Sequence, residues 1–352
     1  MPKAAVMTEA AEAWHIVGNL APLIWLTSLA VSALLIAVLT PLFRNFAVAV
    51  PTSRSSHKAP TPQWGGLAVV GATLVVASPV LLAPQLLGSH TGADAYLVLV
   101  AALLLVVLGT ADDTLDLGAV TKLVAQTVAI IVMLSALPDD TRILPFVPEA
   151  IERGLLFLGV LWFVNLVNFM DGIDWMMVAE VVPVTAGIAL IGALGALPPD
   201  ALVLCLALNG AMLGFAPFNR PVARLFMGDM GSLPIGLIVA WLLLLVAGSG
   251  HLAAAVLLPL YFIGDASITL LRRLHAGERA WEGHRTHFYQ RARDNGFTTI
   301  EIVGRVFAVN VGLVGLAALS VVAQSPWAGP LAFLSGLCLV AWLMIGFARG
   351  RR

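Results

Sequence analysis

Charged residues are scarce in this 352-residue chain. Asp, Glu, Lys and Arg together make up 11% of the sequence, whereas 60% of the residues are apolar. A water-soluble globular protein usually carries about 25% charged residues. The composition therefore excludes an ordinary soluble domain and indicates a protein that crosses a membrane several times. The net charge of −1 gives no support to nucleic-acid binding.

Cysteine is nearly absent as well. The two cysteines, Cys205 and Cys338, each lie within an apolar run and have no CxxC partner or nearby histidine. This pattern favours packing roles over redox or metal chemistry. The first thirteen residues contain one Lys, two Glu and no A-x-A site before an apolar core. These features argue against a cleaved signal peptide.

Long apolar runs, in contrast, recur along the whole chain. A helix needs about 20 apolar residues to cross a bilayer, and eleven segments of this kind can be marked out. Two uncharged stretches, 230–264 and 306–348, are too long for one span, and each divides at a polar or glycine-rich break. We therefore predict an all-α, polytopic integral membrane helix bundle of about eleven transmembrane helices, forming a single domain over residues 1–352.

The distribution of Lys and Arg predicts which side the loops face. If the odd-numbered segments end on one side, that side holds all but three of the 19 basic residues. The exceptions are Lys3, Arg142 and Arg153. Because basic loops tend to stay in the cytoplasm, we expect the N-terminus outside and the C-terminus in the cytoplasm.

Carboxylates collect at the predicted cytoplasmic ends of these segments. Asp171 and Asp174 follow seventeen uncharged residues and stand three apart. On a helical turn they would share a face, which Asn168 could join. Carboxylates at the end of an apolar span are costly unless they meet water, a cation or a functional partner. The alternative is a polar turn with an Asp N-cap on the next helix.

Two adjacent carboxylates, Asp112 and Asp113, end another apolar segment. They repel each other unless a divalent cation or an Arg lies nearby, although a solvated helix end would also explain them. Mg²⁺ prefers oxygen ligands and commonly uses one or two carboxylates together with substrate phosphates. The acidic positions therefore indicate a cation and a phosphorylated substrate.

Asp229 lies between two glycines, with Ser232 shortly after it. Gly228 would let backbone amides approach a phosphate, and Ser232 would cap the following helix, whose N-terminus favours anions. The alternative here is a tight cytoplasmic turn.

The longest predicted cytoplasmic loop carries His284, Arg285 and His287. Arg binds phosphate through paired hydrogen bonds, and His donates to phosphate or transfers protons. The alternative is an exposed basic loop that meets anionic lipid headgroups. An earlier polar loop has two interpretations, which the sequence leaves open. Its basic residues either position a lipid phosphate or only reflect the general excess of Lys and Arg in cytoplasmic loops. Its candidates are Arg54, His57 and Lys58.

Taken together, these motifs resemble those of the polyprenyl-phosphate N-acetylhexosamine-1-phosphate transferases, glycosyltransferase family 4. The family includes the phospho-N-acetylmuramoyl-pentapeptide transferase and enzymes that initiate O-antigen synthesis. The motifs stand in the family's order and span roughly residues 54–293. The form His-Arg-x-His-x-Tyr-Gln-Arg resembles the O-antigen-initiating branch. The matching pieces are 54–57 with 61–62 and 65–66, then 112–113, 168–174, 226–236 and 284–291.

The resemblance implies a Mg²⁺-dependent reaction, with Mn²⁺ as the alternative metal. A polyprenyl phosphate, expected to be undecaprenyl phosphate, would attack a UDP-N-acetyl-sugar such as UDP-N-acetylglucosamine and release UMP. The reaction would take place at the cytoplasmic face of the inner membrane. The implied partners are the sugar nucleotide, the lipid and the membrane, without nucleic acid and with a homodimer left open. The active site would be built from the loops around 44–66, 112–118, 168–176, 218–232 and 272–299.

The resemblance also assigns roles to individual residues. The implied catalytic residues are Asp112, Asp113 and Asp229. The implied metal ligands are Asp229 and Asp171. The implied substrate-binding residues are Asn168, Asp171, Asp174, Gly228, Ser232, His284, Arg285, His287, Arg54, His57 and Lys58.

The chain departs from the family pattern in three places, which involve four residues. Ala49 stands where an Asp often precedes the loop proline, Gln63 and Trp64 interrupt a glycine-rich run, and Trp175 replaces the usual glycine after Asp174. Two other interpretations remain open on the sequence alone. One is an ion-coupled secondary transporter, and the other is a family member that has lost activity.

Overall fold

The chain folds almost entirely into helices. The computed structural model describes residues 3–44, 46–49, 60–83, 93–115, 117–278, 285–323 and 325–350. In these ranges the helices are α1 (Lys3–Leu39), α2 (Gly65–Leu81), α3 (Ala93–Leu115), α4 (Ala119–Leu134), α5 (Glu149–Met170), α6 (Met176–Ile191), α7 (Pro199–Phe215), α8 (Asp229–Gly248), α9 (Leu252–Leu257), α10 (Leu260–His275), α11 (Phe288–Asp294), α12 (Thr299–Val322) and α13 (Ala328–Arg349). A π-helical turn (Gly192–Ala196) extends α6, and β1 (Val48–Ala49) pairs antiparallel with β2 (Thr61–Pro62).

The predicted all-α membrane bundle is confirmed. Within the described ranges, seven helices are long and apolar enough to cross a membrane, namely α1, α3, α5, α6, α8, α12 and α13. The shorter apolar helices α2, α4 and α7 also coincide with predicted segments. The predicted segment that follows the glycine-rich break in 230–264 is divided into α9 and α10. The turn between them contains Pro259, a residue that cannot donate a backbone hydrogen bond. The number of crossings and the orientation of the termini stay predictions.

Helix α8 lies at the centre of the bundle. Nearly all of its side chains are buried, and it packs against α2, α3, α5, α6 and α9. A helix that is apolar on every face is typical of this position. Even its one tryptophan, Trp241, is buried, and the indole Nε1 donates to the carbonyl of Ala136 at 3.2 Å. The first residue of this helix, Asp229, therefore lies where several neighbouring helices end.

Glycines bring the helices into backbone contact near the start of α8. A Cβ atom on Gly66 of α2 would lie 2.1 Å from the Cα atom of Gly231. A Cβ atom on Gly109 of α3 would lie 2.3 Å from the backbone nitrogen of Met230. Small residues at helix crossings allow this approach in membrane bundles. The ends of α2, α3 and α8 are therefore held together tightly.

Polar side chains inside the bundle pair across helices. The Asn310 side chain of α12 donates to the Glu180 carboxyl group of α6 at 2.6 Å. Asn209 of α7 donates to the Thr185 hydroxyl group at 2.8 Å and accepts from the Trp25 indole at 2.7 Å. Buried polar groups away from water need such partners. These contacts tie α6 to α12 and α1 to α7.

We predict that Gly66→Ala destabilises the folded protein by about 1–3 kcal/mol, the range for overpacking a filled interior. The new methyl group would meet backbone atoms of Gly231, which no side-chain rotation can move away. The measurement is the apparent unfolding temperature in detergent. Gly71→Ala on the same helix is the matched control, because its Cβ would lie 3.6 Å from Leu35 Cδ1 in ordinary contact. Equal losses in both variants would contradict the prediction.

Candidate active site

The predicted acidic residues converge at one end of the bundle. Helix α3 ends just after Asp112 and Asp113, α5 ends at Met170 immediately before Asp171, and α8 begins at Asp229. The glycine contacts described above hold α3 against α8, and the Asn168 side chain links the end of α5 to α8. Residues from three distant parts of the sequence therefore form one acidic cluster, which we define as Asp112, Asp113, Asp171 and Asp229.

Both carboxylate oxygens of Asp113 are held by donors. The Gln63 side-chain amide donates to Oδ1 at 2.9 Å, and the backbone N–H of Met230 donates to Oδ2 at 3.3 Å. Gln63 precedes the start of α2 and is one of the positions that depart from the family pattern. It supplies a neutral donor to the acidic cluster. No sequence pattern predicts this contact, because the two residues are 50 positions apart.

Asp112 faces a cation. Lys122 Nζ lies 2.5 Å from its Oδ2 atom, and the backbone N–H of Leu117 donates to Oδ1 at 2.9 Å. The lysine offsets part of the repulsion between the adjacent carboxylates. No motif marks Lys122 as a site residue. Its position near the start of α4 is explained equally well by the general excess of Lys and Arg on the predicted cytoplasmic side.

Asp229 is oriented by Asn168. The Asn168 side-chain amide donates to Asp229 Oδ1 at 2.8 Å and to the Ser232 hydroxyl oxygen at 2.8 Å. Asp229 also lies close enough to Asp112 and Asp113 to interact with both electrostatically. Asn168 therefore connects α5 to α8 and fixes one carboxylate oxygen of the cluster. Its side-chain hydrogen bonds among the described residues go to α8 and not to Asp171.

Asp171 differs from its neighbours in having few donors. In the part of the chain that the structure describes, no side-chain or backbone group donates a hydrogen bond to its carboxylate. Burial raises the pKa of Asp171 to about 7, and the charges of Asp113 and Asp174 act in the same direction. A partly buried carboxylate of this kind needs a cation or a donor from a ligand.

The expected helical turn over Asp171 and Asp174 is not formed. Residues 171–175 leave the helix because Gly172 passes directly against Tyr289, where a Cβ would lie 2.0 Å from the tyrosine hydroxyl oxygen. The chain then adopts a left-handed conformation at Trp175, with φ of 64°. Trp175, not an aspartate, is the N-cap of α6, so the alternative explanation of an Asp N-cap does not apply.

Asp174 organises the loop that leads into α8. Its Oδ2 atom accepts from the backbone N–H of Ala223 at 3.0 Å. Nearby, the Asn219 side chain accepts from the backbone N–H of Trp175 at 2.7 Å and donates to the carbonyl of Leu225 at 2.9 Å. These contacts hold the turn after α5 against the loop before Gly228. Asp174 therefore acts on the acidic cluster indirectly, by holding the two loops next to Asp171 and Gly228 together.

Gly228 and Ser232 serve the start of α8 differently from the prediction. Gly228 is the N-cap, with φ of 73°, and a Cβ there would lie 2.1 Å from the Gln63 carbonyl oxygen and 2.7 Å from Asp113 Oδ2. The position requires glycine for both its conformation and its space. Ser232 lies inside the first turn and does not cap the helix, because α8 already begins at Asp229.

The loop before α11 is described from Arg285 onward. Arg285 Nε is buried without a hydrogen-bond partner among the described residues, and His287 is buried against Asp265. Asp265 lies on α10, directly after the long uncharged stretch 230–264, and no sequence motif marks it as a site residue. The remaining predicted site residues lie outside the described residues, namely Arg54, His57, Lys58 and His284.

The acidic cluster fits a hard, oxygen-binding cation. In the described ranges, no group of three or more His, Cys, Asp and Glu side chains is arranged as a ready-made metal cage. Mg²⁺ does not require one, because it commonly takes one or two carboxylates together with substrate phosphates and waters. Asp171, which lacks donors, and Asp229, which keeps one oxygen outside the Asn168 contact, are the residues that could hold it.

The chain is similar to known proteins over the region that contains the acidic cluster. The glycosyl transferase family 4 profile matches residues 95–247, which include the whole acidic cluster. Over 345 residues the chain is 30% identical to the decaprenyl-phosphate N-acetylglucosaminephosphotransferase of Mycolicibacterium smegmatis, covering 85% of this chain and 80% of the relative. It is also 28% identical to a probable undecaprenyl-phosphate N-acetylglucosaminyl 1-phosphate transferase of Bacillus subtilis. This match extends over 303 residues and covers 80% of this chain and 82% of the relative.

A third relative comes from a different branch. The phospho-N-acetylmuramoyl-pentapeptide-transferase of Symbiobacterium thermophilum is 34% identical over 239 residues, which cover 60% of this chain and 69% of the relative. The similar proteins therefore include two enzymes named for N-acetylglucosamine and one named for N-acetylmuramoyl-pentapeptide.

The strained backbone at Trp175 allows a test of why glycine is usual there. Trp175→Gly and Trp175→Ala both remove the indole donor that contacts the Ala216 carbonyl at 2.6 Å. Only glycine adopts the left-handed conformation freely, which costs other residues about 1–2 kcal/mol. We expect the Gly variant to unfold at a higher temperature than the Ala variant. Equal unfolding temperatures would show that the backbone relaxes when the indole is removed.

Proposed function

Because the chain belongs to the polyprenyl-phosphate N-acetylhexosamine-1-phosphate transferases of glycosyl transferase family 4, we propose that it transfers an N-acetylhexosamine 1-phosphate from a UDP-sugar to a polyprenyl phosphate. A lipid phosphate oxygen attacks the β-phosphorus of the UDP-sugar. The bond from this phosphorus to the bridging oxygen breaks, and UMP leaves. The product is a polyprenyl-diphospho-sugar.

The observation that carries this proposal is the acidic cluster at one end of the bundle. Phosphoryl transfer depends mainly on positioning and on neutralising phosphate charge. The cluster joins Asp113, Asp171 and Asp229 within the family-matching region. Ion-coupled transporters place their carboxylates near the membrane midplane between repeated halves. The position of the cluster therefore favours transfer chemistry over transport.

We propose Mg²⁺ as the cofactor, with Asp171 and Asp229 as its ligands. When bound, it would neutralise the diphosphate and polarise its phosphoryl oxygens. Asn168 orients Asp229, and Gln63 fixes Asp113 so that its carboxylate cannot turn away from the site. Asp113 and Asp112, the latter beside Lys122, are placed to accept a proton or to meet the lipid phosphate.

The chain is a multi-pass membrane protein, and we propose that its active site faces the cytoplasm from the inner membrane. The asymmetry of Lys and Arg supports this orientation. The names of the relatives make UDP-N-acetylglucosamine the first donor to test. The His-Arg-x-His-x-Tyr-Gln-Arg form supports a role in initiating lipid-linked O-antigen or related cell-envelope polysaccharide.

The reaction can be tested with purified protein in detergent, undecaprenyl phosphate, Mg²⁺ and a panel of UDP-N-acetyl-sugars. We expect UMP release that requires both the lipid and the cation. Asp229→Asn should lower kcat by about 10²–10³-fold, the range for losing one group that stabilises transition-state charge, because it removes a proposed ligand of the cation that neutralises the reacting phosphates. Asp140→Asn changes an exposed turn residue and should leave the rate unchanged. A folded protein that releases no UMP from any donor would contradict the proposed function.

Cation binding can be tested separately from turnover. A ligand that binds only the folded state stabilises it, so millimolar Mg²⁺ should raise the apparent unfolding temperature of the wild-type protein. Asp171→Asn should reduce this effect. In metal-free buffer the same variant should be at least as stable as wild type, since one repelling charge has been removed. If Asp171→Asn responds to Mg²⁺ as strongly as Asp140→Asn does, Asp171 is not a ligand.

A further inference from the structure

Asp265 is fully buried on α10, and five groups lie within hydrogen-bond distance of its carboxylate. Two are hydroxyl groups on its own helix, those of Tyr261 and Thr269, which donate at 3.2 Å each. The backbone N–H groups of Phe288 and Tyr289, at the start of α11, donate at 2.9 and 3.2 Å. The fifth group is Nδ1 of His287 at 3.1 Å, whose role depends on where the ring carries its proton.

This arrangement determines which nitrogen of His287 carries a proton. An ionised carboxylate only accepts hydrogen bonds, and Nδ1 lies 3.1 Å from Asp265 Oδ1. With Asp265 ionised, this contact requires a proton on Nδ1, and the lone pair of the neutral ring then lies on Nε2. A carboxylate bound to Nδ1 commonly fixes both the tautomer and the orientation of a functional histidine. The ring is further held by stacking on Tyr289, with centroids 5.7 Å apart.

The same contacts reach the acidic cluster. The Tyr289 hydroxyl group donates to the carbonyl of Phe169 at 3.2 Å, at the end of α5. The tyrosine oxygen also lies against Gly172, directly after Asp171. Asp265 thus holds Tyr289 by its backbone, and Tyr289 holds the turn that carries Asp171. A carboxylate on α10 is connected in this way to a carboxylate at the end of α5.

We propose that Asp265 is a positioning residue, which fixes His287 in its Nδ1–H form and holds the start of α11 against the Asp171 turn. It would act on the reaction through His287 and not by touching the substrate. Its effect on turnover rests on the proposed function, whereas the protonation of Nδ1 does not.

The first test measures that protonation directly. The chain has seven histidines, so protein labelled with ¹⁵N-histidine should give an assignable set of ring signals, with His287→Gln identifying the signal of interest. We expect a protonated Nδ1 in the wild-type protein and a changed signal in Asp265→Asn. A wild-type spectrum with an unprotonated Nδ1 would overturn the proposal. This result does not depend on whether Asp265→Asn folds.

The second test is a double-mutant cycle on UMP release. Asp265→Asn should lower kcat by about 10–100-fold, the range for residues that orient a functional histidine, with little change in KM for the sugar nucleotide. In the His287→Gln background the same change should cost much less, because only the hold on the start of α11 is then lost. An equal loss in both backgrounds would overturn the proposal and assign Asp265 to the fold alone.

Tyr261→Phe is the matched control. It removes one neutral donor from Asp265 Oδ2 and leaves the contact with His287 intact, so most of the activity should remain. A loss as large as that of Asp265→Asn would contradict the assignment to His287. If wild-type protein released no UMP but showed the protonated Nδ1, the proposed reaction would fail while the placement of His287 by Asp265 would stand.

Discussion

Negative charges packed at the end of an apolar bundle repel one another, and the site depends on how that repulsion is offset. Two solutions are built into the chain. Lys122 faces Asp112, while the neutral amides of Gln63 and Asn168 face Asp113 and Asp229. Neutral donors hold a carboxylate in place without cancelling its charge. The cluster therefore keeps enough negative charge to attract a cation.

Asp171 and Asp265 show how differently a carboxylate behaves with and without donors. Asp265 has five groups within hydrogen-bond distance of its carboxylate and is shut away from solvent, which suits an anchor between α10 and α11. Asp171 has no hydrogen-bond donor among the described residues, and its pKa is raised to about 7 by burial and by neighbouring charges. A buried charge without a partner is unfavourable. The structure thus separates a carboxylate that is held by donors on two helices from one that has none among the described residues.

Two departures from the family pattern also have a physical explanation. Trp175 occupies a left-handed position where glycine is usual, and it is held by its own N–H on Asn219 and its indole on the Ala216 carbonyl. Gln63 interrupts a glycine-rich run, yet its side chain supplies a donor to Asp113. Both residues therefore fit the site, and neither disturbs the acidic cluster. These contacts weaken the interpretation of the chain as an inactive family member.

The sequence by itself determined the class of fold and the members of the acidic cluster. Apolar runs of bilayer length have few alternatives to helices, and carboxylates at the ends of such runs are too costly to be incidental. The tertiary structure decided which way each side chain points. Asn168 pairs with Asp229 instead of Asp171, Ser232 lies inside α8, and Asp265 acquires its role only through α11. Spacing along the chain could not predict these contacts, because each partner comes from another helix or depends on where that helix begins.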